Sequence, residues 1–424
     1  MKSDSTSPTP KPRRSSKTAR PSLLTLEDQQ LITKARTLDP IKLSNRELAR
    51  LISVVLHDLG HSKLIPDWVG PIESRYYDLP LDWFTQDGKD EKNGKDAGDG
   101  FDFEDFFNRC TGITAFRTIF QCICKLHTRR RKFVWILSQQ PIPTMDQVAP
   151  RGLLEHGIVG VPGLASWLTW RKWIYDIDNR SAQETGYLFE PILAASLGGE
   201  AYSATDSPVK RGGEGGRRQV DCVIDAGGDE MPTAYEFKAR MTIAASGQGR
   251  FDEELAFPED CKASGYRPVL LVLDPTPSDK LKALTKAFRN AGGEAYVGED
   301  VWTHVKERSG EEITRFVKAY IRDPILHITK HANELHDLSL AYRPGESDQD
   351  AGRLQVTVGS QSWEIRRPSR ESVQKAEEVK QAKQARKAEK AAKAGKEEKE
   401  GNAGKVRKTK KTKKADGAAE PAQN

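Results

Sequence analysis

The sequence lacks any long apolar stretch. No run of eighteen apolar residues occurs in its 424 residues, and the N-terminus has no apolar segment like the core of a secretion signal. Cysteine is also scarce, and the five cysteines are irregularly spaced. This pattern is typical of reduced thiols rather than of a disulfide framework. We therefore expect a cytoplasmic protein without a membrane span.

Net positive charge is missing from the central part of the chain. Residues 23–370 hold 45 Lys and Arg against 51 Asp and Glu, whereas residues 1–22 hold six against one and residues 371–424 hold sixteen against nine. The first end is rich in Ser, Thr and Pro, and the second in Lys, Ala and Glu. We expect two disordered basic tails. They either attract DNA over a long range or are simply solvated.

Two short apolar runs carry charged residues near their ends. The run 219–224 contains Asp221, and the run 233–240 contains Glu236 and Lys238. Side chains alternate along a strand, so Glu236 and Lys238 share a face, and an antiparallel pairing of the two runs would bring Asp221 beside them. Two carboxylates and an ammonium are typical of a magnesium-dependent phosphodiesterase, because Mg²⁺ prefers oxygen ligands. An ordinary charged hairpin is the simpler alternative.

The elements around these runs have a recognisable order. Residues 184–199 show helical spacing and end in two glycines. After the two strands, the sequence predicts a strand over 268–274, a helix over 278–290 and a strand over 294–297. The order of helix, three strands, helix and strand predicts an α/β core.

This order, together with Asp221, Glu236 and Lys238, resembles the PD-(D/E)XK restriction-endonuclease superfamily over residues 184–302. Val220 stands where the motif has its proline, a common departure within the superfamily. The resemblance implies a restriction-endonuclease-like αβββαβ core, in which helices flank a central mixed sheet. It also implies that Asp221 and Glu236 bind Mg²⁺ and that Lys238 assists the attacking water.

The helix before the first strand often supplies a further glutamate in this superfamily. Glu190 is our choice for that catalytic and metal-binding residue, with Glu184 as the alternative. The segment 186–190 and the long helical N-terminal part look most like the ApaLI-type type II restriction enzymes.

This narrower resemblance implies cleavage of double-stranded DNA at a specific sequence, with 5′-phosphate products. It also implies a homodimer, because a palindromic target presents the same surroundings on both strands. A cognate DNA methyltransferase of the same restriction–modification system would be its partner. An Mrr-like or repair nuclease on the same core is the alternative, and a non-catalytic DNA-binding protein is disfavoured by the intact acidic and basic set.

Basic and amide side chains flank the predicted catalytic set on both sides. A glycine-rich loop precedes Asp221, and a segment of small and polar residues follows Lys238 at what should be a helix N-terminus. Such segments can follow a phosphate backbone, although exposed surface residues look the same. The candidate DNA-binding residues are Lys210, Arg211, Arg217, Arg218, Gln248 and Arg250.

The segment 54–61 supports a different enzyme class. It contains His57 followed by an aspartate and then His61, and it resembles the His-Asp unit of HD-type metal phosphohydrolases. No histidine precedes His57, however, so the first metal ligand of that class is missing. Gly60 also predicts that the helix ends before His61.

The rest of the chain extends the core on both sides. Helical spacing predicts helices over 26–35, 44–57 and 111–127, and after the core over 311–322 and 325–340 with Pro324 as a breaker. Residues 353–358 and 362–366 predict a hairpin. The expected divisions are a basic tail (1–22), a mainly helical region (23–175), the nuclease core (176–305), C-terminal helices with a hairpin (306–370) and a second basic tail (371–424).

Overall fold

The computed structural model describes residues 22–86, 101–212, 216–225, 231–239, 248–330, 335–347, 352–369 and 378. Nearly all of both predicted tails lies outside these ranges. No helix within them is long and apolar enough to cross a membrane. The described residues form two compact units: one comprises those up to 136 together with 174–330, and the other comprises 137–173 together with those from 335 onward. The five expected divisions stay predictions.

The N-terminal part is mainly helical, as predicted. Ser44 caps the second helix through a reciprocal capping box, in which its hydroxyl accepts from the Glu47 backbone N–H at 3.1 Å. The predicted helix over 111–127 begins later, at Phe116, and continues to Gln139. The elements are α1 (Leu26–Ala35), β1 (Thr37–Leu38), β2 (Ile41–Lys42), α2 (Asn45–Asp58), α3 (Leu81–Thr85), α4 (Phe103–Cys110) and α5 (Phe116–Gln139).

A mixed five-stranded sheet flanked by helices follows, in the order β3-β4-β5-β6-β7. The β3–β4 and β4–β5 pairs are antiparallel, and the β5–β6 and β6–β7 pairs are parallel. The α/β class and the mixed sheet are therefore confirmed. The elements are α6 (Met145–Val148), α7 (Val161–Ser196), β3 (Glu200–Tyr202), β4 (Val220–Ile224), β5 (Thr233–Lys238), α8 (Gln248–Ala263), β6 (Arg267–Val272), α9 (Asp279–Asn290) and β7 (Glu294–Val297).

The predicted order of elements omitted β3 and α8, although a helix N-terminus was expected after Lys238, and α8 does begin at Gln248. Helix α8 is required because β5 and β6 run parallel, and parallel neighbours need a crossover connection that is usually a helix. Strand β3 pairs with β4 along one edge of the sheet. From α7 onward, the order is therefore one helix, three strands, and then helix, strand, helix and strand.

The two faces of the sheet belong to different hydrophobic clusters. Tyr235 and Phe237 on β5 share one core with α2, α4 and α5. Ala234, on the other face, belongs to a core with Phe257 of α8 and Phe288 of α9. Burial on both faces is typical of strands covered by helices, and it fixes the register of β5 firmly.

After β7, the first unit continues with helices. They are α10 (Glu299–Arg308), α11 (Glu311–Val317) and α12 (Asp323–Lys330), and a π-helical turn at Lys318–Arg322 joins the last two. The predicted break at Pro324 is wrong. Proline lacks an N–H, and it is tolerated here in the first turn of α12 directly after the widened π turn.

The second unit contains a three-stranded antiparallel sheet in the order β10-β9-β8. Its strands are β8 (Leu338–Arg343), β9 (Arg353–Val358) and β10 (Gln361–Arg366), so the predicted hairpin is confirmed. The predicted helix over 325–340 is wrong at its end, because Leu338 begins β8 and pairs with Val358. Strand pairing here overrides the local helical spacing.

Candidate active site

Neighbouring strands bring three of the predicted residues together. Cys222 on β4 pairs with Tyr235 on β5, so Asp221 lies across the ladder from Glu236. Asp221 is buried, and its Oδ2 accepts a hydrogen bond from the Phe237 backbone N–H at 2.8 Å. That bond fixes one carboxylate oxygen against β5. The antiparallel pairing expected for the two strands is confirmed.

Lys238 contacts two carboxylates at the end of β5. Its Nζ lies 2.6 Å from Glu236 Oε1 and 3.4 Å from Glu254 Oε1 of α8. Burial opposes a charge on Lys238, but the neighbouring Glu236 and Glu254 carboxylates outweigh it and raise the pKa of Lys238 above its usual value. The side chain is therefore a firmly protonated ammonium.

Three carboxylates interact electrostatically at this site. Burial raises the pKa of Asp221 well above its usual value, and Glu236 and Glu190 raise it further. Burial followed by Glu236 likewise raises the pKa of Glu190. Like charges raise one another's pKa when they are close and poorly solvated. Glu190 on α7, already a member of the predicted set, therefore interacts with Asp221 and Glu236 through its charge.

Glu184 has different surroundings. Its carboxylate forms ion pairs with Arg129 and with Lys132, whose Nζ lies 2.9 Å from Glu184 Oε1. Burial would raise the pKa of Glu184, but the two cations outweigh it and lower the pKa below its usual value. A carboxylate held by two cations of α5 is a poor choice for a metal ligand. Glu184 is thus engaged by Arg129 and Lys132, and Glu190 stays the predicted helix carboxylate.

The donor chemistry of Asp221, Glu236 and Glu190 fits a hard divalent cation. All three offer carboxylate oxygens, and a cation would relieve the repulsion that, after burial, contributes to the raised pKa values of Asp221 and Glu190. In the part of the chain that the structure describes, no three His, Cys, Asp or Glu side chains stand close enough together to hold an ion. Glu236 is instead turned toward Lys238. Ion binding therefore requires these side chains to draw together.

Four of the predicted DNA-binding cations, Lys210, Arg211, Arg217 and Arg218, lie in the loop between Val209 and β4. Lys210 and Arg217 form an isolated bridge at the base of this loop and are both exposed. The Arg211 side chain lies 3.4 Å from Glu253 in an exposed pair. An exposed pair of this kind breaks easily, so Arg211 can face a ligand. Arg217 is exposed as well, and its Nη1 donates to the Ser207 carbonyl at 3.1 Å.

Arg218 requires a correction. It is buried, forms an ion pair with Asp260 of α8, and donates from Nη1 to the Glu253 carbonyl at 2.9 Å. A guanidinium with these partners joins the loop to α8 and is not presented to DNA. Helix α8 begins at Gln248, but the side chains of Gln248 and Arg250 lie outside the described residues.

The histidines of the HD alternative are separated by a helix end. Helix α2 ends at Asp58, and Gly60 follows with φ +85°. Asp58 Oδ2 accepts from the Tyr320 hydroxyl at 2.6 Å, so this carboxylate has a structural partner. His61 lies beyond the helix end, and it therefore does not share a helix face with His57.

Glu254 is the site residue that the sequence reasoning missed. It lies on α8 at helical spacing from the buried Phe257 and Cys261, three and seven residues later. A carboxylate on the apolar side of a helix is uncommon and needs a partner. That pattern is the signal that could have identified it.

Comparison with known proteins places the chain in a family. The family model for ApaLI-like restriction endonucleases matches residues 102–322. A curated relative, the type II restriction enzyme ApaLI of Acetobacter pasteurianus, is 43% identical over 343 residues, which cover 77% of this chain and 88% of the relative. The chain is a type II restriction endonuclease, a site-specific deoxyribonuclease. It belongs to the ApaLI-like restriction endonuclease family.

Proposed function

We propose that this enzyme cuts double-stranded DNA through a PD-(D/E)XK core built on β4 and β5. In this proposal Asp221, Glu236 and Glu190 bind Mg²⁺, and Lys238 assists the attacking water. One observation carries it: Asp221 on β4 lies across from Glu236 on the adjacent strand β5, and the Lys238 ammonium lies 2.6 Å from Glu236 Oε1. The segment that contains them also lies inside the region matched by the family model.

The residues have distinct tasks in hydrolysis. The bond from the Phe237 N–H fixes the direction of Asp221, while Glu236 and Glu190 can turn toward an ion. Bound Mg²⁺ would supply Lewis-acid stabilisation of the charge that develops on the phosphate. The Lys238 ammonium donates a hydrogen bond to the water or to a phosphate oxygen. Water attacks phosphorus as the bond to the 3′-oxygen breaks. The attacking water loses a proton to solvent and the 3′-oxygen gains one from solvent, so the products are a 5′-phosphate and a 3′-hydroxyl.

Lys210, Arg211 and Arg217 are proposed to contact the phosphate backbone beside the site. They are exposed or half-buried on the loop that leads into β4, the strand that carries Asp221. Cations at such positions set the register of the duplex and make binding dependent on salt. Gln248 and Arg250, at the start of α8, stay predictions for the other side of the site.

The biological setting is part of the same proposal. A two-fold homodimer would present one active site to each strand of a palindromic target. A cognate DNA methyltransferase would protect the DNA of the same cell. The five cysteines are free and buried, which supports a reducing compartment such as the cytoplasm.

Plasmid digestion with Mg²⁺ tests the proposal. We expect discrete fragments, whose sequenced ends would give the target and the cut position. Lys238→Ala should slow cleavage by about 10²–10³-fold, because one donor to the developing charge is removed. The Lys238→Ala variant should still bind a DNA fragment that contains the target in a gel-shift assay without metal. Lys306→Ala, on α10, is the matched control and should cut like the wild type.

Each other outcome has a definite meaning. A smear of products would support the repair-nuclease alternative. No cleavage with Mg²⁺ or several other divalent ions would overturn the proposed catalysis. Undiminished cleavage by Lys238→Ala would mean that the active site lies elsewhere.

A further inference from the structure

Glu254 contacts the catalytic ammonium but has no task in the mechanism above. Its Oε1 lies 3.4 Å from Lys238 Nζ, and the Glu254 side chain is about one-quarter exposed. Lys238 also donates to Glu236 at 2.6 Å. An ammonium has three donor positions, so one lysine can serve both carboxylates. The question is why the site contains a second partner for Lys238.

The position of Glu254 on α8 is not that of an ordinary surface acid. It lies on the same side of the helix as Phe257 and Cys261, which are 4% and 0% exposed. Phe257 and Cys261 pack in the core that covers one face of the sheet. Glu254 therefore points toward the strands, where the Lys238 side chain meets it.

Glu236 has two tasks that compete. Its Oε1 is occupied by the Lys238 ammonium, yet the mechanism needs Glu236 to bind a divalent cation. A cation and an ammonium that share one carboxylate repel each other strongly at this short range. If Glu236 turned to the metal and nothing else held Lys238, the ammonium would either leave the site or keep Glu236 from the ion.

We propose that Glu254 is a positioning residue that holds the Lys238 ammonium at the active site while Glu236 binds the divalent cation. This inference rests on the proposed function, because it takes Glu236 as a metal ligand and Lys238 as the catalytic amine. Glu254 acts through Lys238 and touches neither DNA nor the metal. Its removal should therefore weaken both metal binding and cleavage while leaving DNA affinity intact.

A metal titration separates this role from others. Mn²⁺ serves as the probe ion, since its free form is measured directly by electron paramagnetic resonance and it accepts oxygen ligands. We expect Glu254→Gln to weaken Mn²⁺ binding about tenfold, because Lys238 then stays on Glu236. Glu259→Gln makes the same charge change at an exposed position of α8 and should shift the affinity less than about twofold.

A double-mutant cycle tests whether the effect passes through Lys238. In a Lys238→Ala background the competitor is absent, so Glu254→Gln should no longer weaken Mn²⁺ binding. An undiminished effect in that background would overturn the positioning role. Glu254→Asp keeps the charge and should restore part of the affinity, and it replaces Glu254→Gln if the latter melts at a lower temperature than the wild type.

Cleavage rates distinguish this inference from the proposed function. Under single-turnover conditions, Glu254→Gln should slow cleavage about tenfold, with an unchanged Kd for DNA measured without metal. If Glu254→Gln binds Mn²⁺ and cuts like the wild type while Lys238→Ala is inactive, the role of Glu254 is wrong and the active site stands. If both variants cut normally, the proposed active site itself is wrong.

Discussion

At the scale of single residues, His127 illustrates how this fold buries polar groups. It is fully buried on α5, with Nε2 at 3.1 Å from Glu47 Oε1 and Nδ1 at 3.0 Å from the Tyr76 hydroxyl. A neutral imidazole satisfies both contacts if Nε2 donates and Nδ1 accepts. Burial lowers the pKa of His127 below its usual value and outweighs the opposing effect of Glu47.

The lowered pKa of His127 predicts a loss of stability in acid. Below about pH 6.5 the unfolded chain binds a proton at this residue and the folded chain does not, so the free energy of unfolding falls as pH drops toward the folded pKa. His127→Gln should lower the free energy of unfolding by about 1–3 kcal/mol at pH 7.5, since buried partners are left without their hydrogen bonds. The variant should also lack this part of the acid sensitivity.

Thermal melting at pH 7.5 and pH 5.5 measures the effect. His57→Gln, at an exposed position, is the control and should follow the wild type at both pH values. Arg130, Arg131 and Glu47 face the same imidazole and remain in every variant. If the Tm of His127→Gln fell in acid as much as that of the wild type, His127 would not be a source of the acid sensitivity.

The predicted catalytic residues differ in how far the sequence could reveal them. Glu236 and Lys238 lie two residues apart on one strand, and strand alternation is a local rule that places them on one face. Lys238 meets Glu254, however, across sixteen residues of chain, and Arg218 meets Asp260 across forty-two. Those contacts depend on the packing of α8 against the sheet, and the spacing of residues along the sequence does not reveal that packing.

At the scale of elements, the junction of α7 with the sheet depends on a glycine pair. Gly198, with φ +74°, ends the helix, and Gly199 then passes directly beside β4. A Cβ at Gly199 would collide with Cys222 Sγ and would lie 2.7 Å from the Val223 carbonyl oxygen. The absent side chain lets α7 and β4 approach closely, which brings Glu190 near Asp221.

Gly199→Ala should therefore disturb the site as well as the fold. We expect the free energy of unfolding to fall by about 1–3 kcal/mol, because the backbone of β4 has to shift. Cleavage should fall with it, since β4 carries Asp221. Urea denaturation and initial cleavage rates measure both effects.

Gly112→Ala is the matched control for that substitution. A Cβ there meets nothing within 4 Å, so stability should stay within about 0.5 kcal/mol of the wild type. Equal stability of the two alanine variants would show that the close approach at Gly199 is unimportant.

The sequence predicted strands and helices where they are long or strongly patterned. β4, β5, β6, β7 and α9 were found in this way. Strand β3 has three residues, too few for an alternating pattern, and α8 buries the charged Asp260 beside its apolar residues, which obscures their helical spacing. The crossover between β5 and β6 follows from their parallel pairing, which is a property of the sheet and not of either segment.

At the scale of the whole molecule, the net charge of the central body has the same sign as that of DNA, the expected substrate. The body from 23 to 370 is net acidic, whereas DNA is a polyanion, and the basic excess lies in residues 1–22 and 371–424. We therefore expect close contact with DNA to depend on local cations such as the proposed Lys210 and Arg217. We expect long-range attraction to come from the two basic ends of the chain.

Deletion of residues 371–424 tests whether the basic C-terminal end attracts DNA over a long range. We expect weaker DNA binding at low salt and a flatter plot of log affinity against log salt, by about 0.9 for each phosphate that the tail neutralises in the wild type. Cleavage at saturating enzyme should be unchanged, because the active site is intact. A Gly/Ser segment of equal length is the control, and identical salt slopes for the wild type and the deletion would contradict the prediction.

The hydrophobic core that joins α2, α4 and α5 to one face of the catalytic sheet has a consequence for how such an enzyme can evolve. Nucleases assembled from separately folding parts can gain new targets by exchanging one part for another. Exchange of the N-terminal helices here would open the core around Tyr235 and Phe237, on the strand that carries Glu236 and Lys238. A change of target by exchange of these helices would therefore require a replacement that covers Tyr235 and Phe237 equally well.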